Sequence, residues 1–350
     1  MTSTSTSNRS VGVIGAGSFG TAVANILAQQ SDVLLYARNP DKVTELQKTR
    51  MNGKHKLNES IQITGDLRQV AESCEVIFPV VPSGNFRQMI KDCSPFLRPY
   101  HILIHGTKGL DICRKKDGDT KKTPLTREHV KTMSEVILEE TSVVRVGCLA
   151  GPNLASEIAD EEPAASVVAS HFDEVILKGQ QLLKNDRFLI YGSKDLIGIE
   201  LCGILKNIIA IGSGALSGLG LGDNARALLI SRGLVEMIHL GNALGGNAKA
   251  FMGLAGVGDL VATCSSKHSR NFTVGFRLAQ GETLNEIIES MEEVAEGVNT
   301  IRIVKQLAEH YRVRAPITET LHKIIMGRMT VEEANVYLMK FPFRADIDFL

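Results

Sequence analysis

Residues 196–210, LIGIELCGILKNIIA, set Glu200, Gly203, Lys206, Asn207 and Ala210 at helical spacing in a run that is otherwise apolar. Wound as a helix, these five share one narrow stripe. A lysine in apolar surroundings is seldom buried without a partner. Desolvation lowers the pKa of its ammonium, which suits it to exchange a proton near neutral pH. A thin solvent-facing strip on a half-buried helix would read the same way. Gly203 and Ala210 favour a cleft, because small residues beside the lysine leave room for a ligand.

A different chemistry is suggested by Gly15-Ala16-Gly17-Ser18-Phe19-Gly20, which follows an apolar run and opens an apolar stretch beginning Thr21, Ala22, Val23. Between a strand and a helix, Gly15 permits the tight turn and Gly17 lets the backbone approach a pyrophosphate. Gly20 lets the helix pack close, with its first N–H groups facing the anion. A lone glycine pattern is only a turn; the strand and helix around it point to a dinucleotide. The next strand ends Tyr36-Ala37-Arg38-Asn39-Pro40, with no acid before Asp41. Sites that demand the free ribose hydroxyl of NAD place an acid there. Arg38 instead suits a 2′-phosphate, so NADP should be accepted alongside NAD.

Other polar groups stand where ligands collect in open α/β sheets, just past the carboxyl ends of strands. Lys108 lies in His105-Gly106-Thr107-Lys108-Gly109, and Gly151-Pro152-Asn153 follows another strand in the same manner. Gly256-Val257-Gly258-Asp259-Leu260 looks like a phosphate loop, but no strand precedes it, which argues against a second nucleotide site. Beyond it, Ser269-Arg270-Asn271 offers a hydroxyl, a guanidinium fork and an amide, suited to a phosphate monoester or a carboxylate.

The elements that must position these residues change character along the chain. Up to about residue 194, β-branched runs at 11–15, 33–37, 75–81, 101–105, 143–149 and 165–169 alternate with helical patterns such as 19–30 and 84–92. That alternation predicts a parallel α/β sheet. From 196 to 338 the periodicity is helical, with glycine clusters at 212–222 and 241–258 read as breaks. The expected architecture is a frayed lead at 1–10, a Rossmann-type doubly wound domain at 11–194, an all-helical domain at 195–340 and a tail at 341–350. The charged stretch 111–131 reads as a surface insertion.

With 350 residues, 39 basic and 39 acidic, the formal net charge is zero, which argues against nucleic-acid or membrane-surface partners. The six cysteines are scattered without a Cys-x-x-Cys pair, as expected of reduced thiols in the cytoplasm. His101 and His105 share a strand face but lack a third ligand, so no metal is expected. Residues 11–28 are apolar, yet their glycines and Asn25 argue against a signal sequence or membrane span.

Together these motifs closely resemble the NAD(P)-dependent glycerol-3-phosphate dehydrogenase family, from Val11 to about Leu338. The resemblance rests on GAGSFGTA at 15–22, VPS at 81–83, TKGL at 107–110 and GPN at 151–153. It continues through GILKN at 203–207, GLAGVGDL at 253–260, SRN at 269–271 and VAEGVNT at 294–300. It implies interconversion of sn-glycerol 3-phosphate and dihydroxyacetone phosphate, with the product feeding phospholipid synthesis. It also implies that Lys206 serves as proton donor and acceptor, that Lys108 touches cofactor and substrate, and that Asp259 orients Lys206 or the substrate. Gly151, Asn153, Ser269, Arg270 and Asn271 would surround the substrate. Ser18, Phe19, Arg38, Ala155, Arg270, Val294 and Glu296 would contact the cofactor. Asn153 stands where many members have Ser or Thr, 111–131 is longer than the usual link, and 341–350 has no counterpart. A related two-domain β-hydroxyacid dehydrogenase, or a non-catalytic NAD(P)H-binding redox sensor, are the competing readings. An exposed face on the helical domain would permit a homodimer.

Overall fold

The structure, a computed structural model, describes residues 10–113, 125–291 and 295–341. The lead at 1–9, the middle of the charged stretch and the tail beyond Phe341 therefore lie outside the described residues.

Eight strands form the main sheet: β1 (Ser10–Ile14), β2 (Val33–Tyr36), β3 (Gln62–Thr64), β4 (Cys74–Pro79), β5 (Ile102–His105), β6 (Arg145–Ala150), β7 (Ala164–Ser170) and β8 (Phe188–Ser193). Their spatial order is β8-β7-β6-β5-β4-β1-β2-β3. β1 pairs in parallel with both β2 and β4, and β2–β3, β4–β5, β5–β6 and β7–β8 are parallel too. The chain therefore starts in the middle, builds outward to β3, then crosses back to β4 and builds the other way. The reversal falls between β1 and β4, the place where such sheets bind ligands.

Side chains divide strictly between the two faces. Val33, Leu35, Val76, Phe78, Ile102 and Ile104 join a core with helix α1 (Ser18–Leu27), while Leu34, Ile77 and Leu103 join a second core with helix α2 (Ser83–Cys93). Burial on both faces is why the strands read as continuous apolar runs rather than alternating ones. The sequence pattern did not anticipate β3 or β8. β3 has three residues, and β8 is an edge strand whose Leu189 and Tyr191 are exposed and whose Gly192 looks like a break.

The described residues divide into two compact units, one holding 10–107 with 133–149 and 155–194, the other holding 108–113, 125–132, 150–154 and the described residues from 195 onward. The second unit is helical. Its central helix α3 (Leu196–Gly218) is surrounded by α4 (Asp223–Ala243), α5 (Asp259–Ser265), α6 (Arg270–Ala279), α7 (Glu296–Tyr311) and α8 (Pro316–Ile325). By length and composition α3 would also cross a membrane, but its most apolar window is 94% buried, as in a core helix.

The expected breaks at 212–222 and 241–258 hold only in part: the chain leaves helix at 219–222 and at 244–247, but not at the earlier glycines. α3 runs unbroken through Gly212 and Gly214, and α4 through Gly241. These glycines serve packing. A Cβ on Gly214 would lie 1.9 Å from the Phe272 carbonyl oxygen, and one on Gly275 would lie 1.8 Å from that of Ile211. α3 and α6 therefore cross backbone against backbone, and only glycine allows it.

Candidate active site

In the first unit the glycine turn closes directly on the end of β4. Gly15 has φ +120°, and a Cβ there would meet the Val80 carbonyl oxygen at 2.2 Å. A Cβ on Gly20 would fall 1.8 Å from the Gly15 carbonyl oxygen, so the helix starts in contact with the turn that precedes it. Gly17 differs: a Cβ there would meet nothing within 4 Å, so its glycine is not demanded by the protein's own packing. Gly17 is also the N-cap of α1, with no side-chain cap and no acid in the first turn. The first N–H groups of a helix need a partner, and an open, uncapped, acid-free N-terminus is a fitting cradle for a phosphate anion. Ser18 is exposed beside it. The Phe19 ring is packed so closely over Gly106 that a Cβ at 106 would touch it at 2.9 Å. Arg38 is exposed after β2, one residue before Asn39, whose side chain caps the following helix by accepting from the Asp41 N–H at 2.8 Å. Ala155 opens a short helix and is half-buried against the first core.

The second unit gathers the catalytic candidates. Lys206 is 5% exposed and Asp259 2%. The Lys206 Nζ donates to Asp259 Oδ1 at 3.0 Å and to Thr263 Oγ1 at 2.5 Å; Thr263 Oγ1 donates in turn to Asp259 Oδ1 at 3.1 Å. The other carboxylate oxygen, Oδ2, accepts from Lys108 Nζ at 2.7 Å, and the same ammonium donates to the Gly151 carbonyl at 3.0 Å. One buried carboxylate thus bridges two lysines that are 98 residues apart in number, at 108 and 206. Asp259 arrives there through a π-helical turn, Leu254–Gly258, in which a Cβ on Gly256 would strike the Phe251 carbonyl oxygen at 2.0 Å. Such turns are rare and recur at functional sites.

Burial pushes the Lys206 ammonium down to about 8; the Asp259 charge works against this and the Lys108 charge with it. A group of that acidity divides between donor and acceptor forms near neutral pH, as general acid–base catalysis requires.

Several expectations change in detail. The stripe on α3 is wholly internal: Glu200, Gly203, Lys206, Asn207 and Ala210 are all buried, which removes the solvent-strip reading. The space at Gly203 is not left for a ligand but filled by the stem of Lys108, 3.4 Å from where a Cβ would sit. Ser269, Arg270 and Asn271 do not form a single free fork. The Ser269 hydroxyl caps α6, accepting from the Phe272 N–H at 3.3 Å. The Asn271 amide points inward, donating to Asn207 Oδ1 at 3.0 Å and accepting from the Gly297 N–H at 2.9 Å. Arg270 is exposed at the first position of α6. Glu296 is half-buried at the first position of α7, Asn153 is half-buried after Gly151, and Val294 lies outside the described residues. His101 and His105 are taken up elsewhere: Nε2 of His101 lies 2.8 Å from the Ala71 carbonyl and Nε2 of His105 lies 3.1 Å from Ser134 Oγ. Sequence reasoning missed Thr263. Its four-residue separation from Asp259 on a helix was the available signal.

Residues 10–176 match the family model for the N-terminus of NAD-dependent glycerol-3-phosphate dehydrogenase, and residues 195–335 match the model for its C-terminus. A glycerol-3-phosphate dehydrogenase [NAD(P)+] of Ectopseudomonas mendocina is 38% identical over 345 residues, covering 97% of each chain. The protein of the same name from Staphylococcus epidermidis is 38% identical over 343 residues, 97% of this chain and all of that one. The crystal structure of glycerol-3-phosphate dehydrogenase from Coxiella burnetii, 33% identical, superposes with a TM-score of 0.86 over 95% of this chain and 99% of its own.

Proposed function

We propose that this chain, which belongs to the NAD-dependent glycerol-3-phosphate dehydrogenase family, reduces dihydroxyacetone phosphate to sn-glycerol 3-phosphate with NAD(P)H and runs the reverse oxidation. The observation that carries the site assignment is the buried Lys206–Asp259 pair joined by the half-buried Lys108, with the Lys206 pKa lowered to about 8.

The nicotinamide, when bound, supplies or accepts the hydride at C2. The protein's part is alignment and the proton. In reduction, protonated Lys206 gives a proton to the C2 oxygen as that oxygen gains charge; in oxidation, neutral Lys206 takes the hydroxyl proton. Asp259 holds Lys206 in place and balances its charge. Lys108, on the opposite carboxylate oxygen, adds a second positive charge that stabilises the developing alkoxide. Arg270, exposed and forked, anchors the phosphate, so that binding energy far from C2 is used for orientation. Ser269, Asn271, Gly151 and Asn153 shape the substrate's surroundings. Ser18, Phe19, Arg38, Ala155, Val294 and Glu296, with the Gly15–Gly20 turn, hold the dinucleotide, and Arg38 extends its use to NADP. Cytoplasmic supply of glycerol 3-phosphate to phospholipid synthesis, and a homodimer through an exposed face of the helical unit, complete the reading.

The test is oxidation of NADH and of NADPH followed by absorbance with dihydroxyacetone phosphate as acceptor. Turnover with both cofactors is expected. Inertness toward this substrate alongside turnover of a β-hydroxy acid would overturn the assignment.

A further inference from the structure

The glycine turn is held from behind by a residue that no motif contains. The Asn52 side chain donates one Nδ2 hydrogen to the Ala16 carbonyl oxygen at 3.0 Å and the other to Thr21 Oγ1 at 2.6 Å. An amide nitrogen has two donors, and both are spent on the turn. We propose that Asn52 is a positioning residue for the dinucleotide, fixing the peptide of the glycine turn whose N–H meets the pyrophosphate.

The geometry of one peptide unit gives Asn52 this role. In a trans peptide the carbonyl oxygen and the N–H of the same plane point in opposite directions. By taking the Ala16 carbonyl, Asn52 turns the Gly17 N–H away from itself. Gly17 is exposed, and a Cβ on it would meet nothing within 4 Å. Gly17 on the C-terminal side of this peptide has no Cβ to restrict its φ, so the plane can rotate on that side unless something outside the turn holds it. The second contact stops the helix from shifting against the turn. Thr21 is 1% exposed, its N–H donates to the Gly17 carbonyl at 2.9 Å, and its hydroxyl oxygen accepts from Asn52. A single amide therefore grips the turn before and after its open residue.

Asn52 is itself fixed. It pairs with His55 in a two-residue antiparallel ladder. That hairpin is fastened to α1 by Asn25, whose Nδ2 donates to the Lys56 carbonyl at 2.8 Å and whose Oδ1 accepts from the Asn58 N–H at 2.9 Å. Arg50 ties the hairpin's far end to the Ile61 carbonyl at 2.9 Å. The brace thus stands on the helix it helps to aim. Fixing such a group in advance strengthens binding by removing the cost of ordering it when the ligand arrives.

This inference rests on the NAD(P) reading above, and its test separates the two. The chain has no tryptophan, so titration reads the fluorescence of NADH itself. Asn52→Ala should raise the Kd for NADH about tenfold, and the Kd for ADP-ribose, which carries the pyrophosphate without the nicotinamide, by the same factor. kcat at saturating NADH and KM for dihydroxyacetone phosphate should stay within about twofold. Thr21→Val, which removes one of the two acceptors, should raise the NADH Kd about threefold, and it decides the matter if Asn52→Ala does not fold. Unchanged Kd values in both variants would overturn the proposal. So would a parallel loss of Kd, kcat and substrate KM with a lowered melting temperature, since that marks a brace for the fold and nothing more. A wild-type chain that binds NADH but leaves dihydroxyacetone phosphate untouched would overturn the activity and leave Asn52 to be judged by Kd.

Discussion

At the scale of single residues, the arrangement turns on how Lys206 and Asp259 divide the electrostatic work. Burial lowers the lysine to about 8, and the carboxylate keeps it from falling further. Reduction needs the protonated amine, so kcat/KM for dihydroxyacetone phosphate should decline as pH rises through about 8. Oxidation needs the neutral amine and should rise through the same limb. Lys206→Ala should lower kcat roughly two to four orders of magnitude, the usual loss for a general acid–base group, while NADH still binds. Asp259→Asn is the sharper variant. It removes the charge that raises the lysine and leaves Lys108 repelling it, so the limb must move to lower pH as turnover falls. Stopped-flow or steady-state pH profiles decide. A limb that moves upward, or stays put, would take Asp259 out of the role given to it. The stability linkage has a definite sign too. A lysine with a depressed folded pKa binds fewer protons in the native state than in the unfolded chain, so this group costs stability at neutral pH. That cost shrinks as pH rises from about 8 toward the ordinary lysine value of 10.5.

At the scale of elements, glycine divides what the chain showed from what it hid. The turn at Gly15, Gly17 and Gly20 was legible because its reasons are local: strand, tight turn and helix follow one another within a few residues. Gly214 and Gly275 were not, since each exists for a carbonyl oxygen of a different helix, Phe272 and Ile211 respectively. A local rule reads Gly214 as a helix breaker, yet α3 passes straight through it, and Gly275 sits inside α6. The six central strands were legible because burial on both faces leaves continuous apolar runs, whereas the edge strands β3 and β8 carry no such run. Lys206 stood out within one helix. Lys108 and Asp259 were singled out in their own motifs, but that one carboxylate bridges both lysines was not legible, because Lys108 and Asp259 are 151 residues apart in sequence. Thr263 and Asn52 act through contacts that no motif records. The packing reason is testable by urea unfolding. A Cβ on Gly275 would sit 1.8 Å from the Ile211 carbonyl oxygen where α6 crosses α3. Gly275→Ala should therefore cost about 3 kcal/mol, the upper range for overpacking. Gly222→Ala makes the control. That residue has φ −84° and nothing within 4 Å of its would-be Cβ, so the change should stay within about 1 kcal/mol. Equal costs at the two positions would remove the packing explanation for the glycines of the helical unit.

At the scale of the whole molecule, the balance of 39 basic and 39 acidic residues leaves no net charge to draw phosphorylated ligands from a distance. Their capture must rest on local positive groups, and for the cofactor's 2′-phosphate the group proposed above is Arg38. It is exposed, follows a strand that ends without an acid, and precedes the capped start of a helix, whose dipole also favours an anion. Arg38→Ala should raise KM for NADPH roughly tenfold, equivalent to about 1.4 kcal/mol, and leave KM for NADH within about twofold. Salt supplies an independent check. Raising ionic strength from about 0.01 M to about 1 M shortens the Debye length from roughly 30 Å to roughly 3 Å. In the wild type KM for NADPH should climb with salt more steeply than KM for NADH, because only NADPH meets Arg38 through an exposed charge pair. In Arg38→Ala the two slopes should coincide. If they differ as much as before, the 2′-phosphate is held by some other cation, and the reading of Arg38 as the NADP determinant fails even though the enzyme's reaction stands.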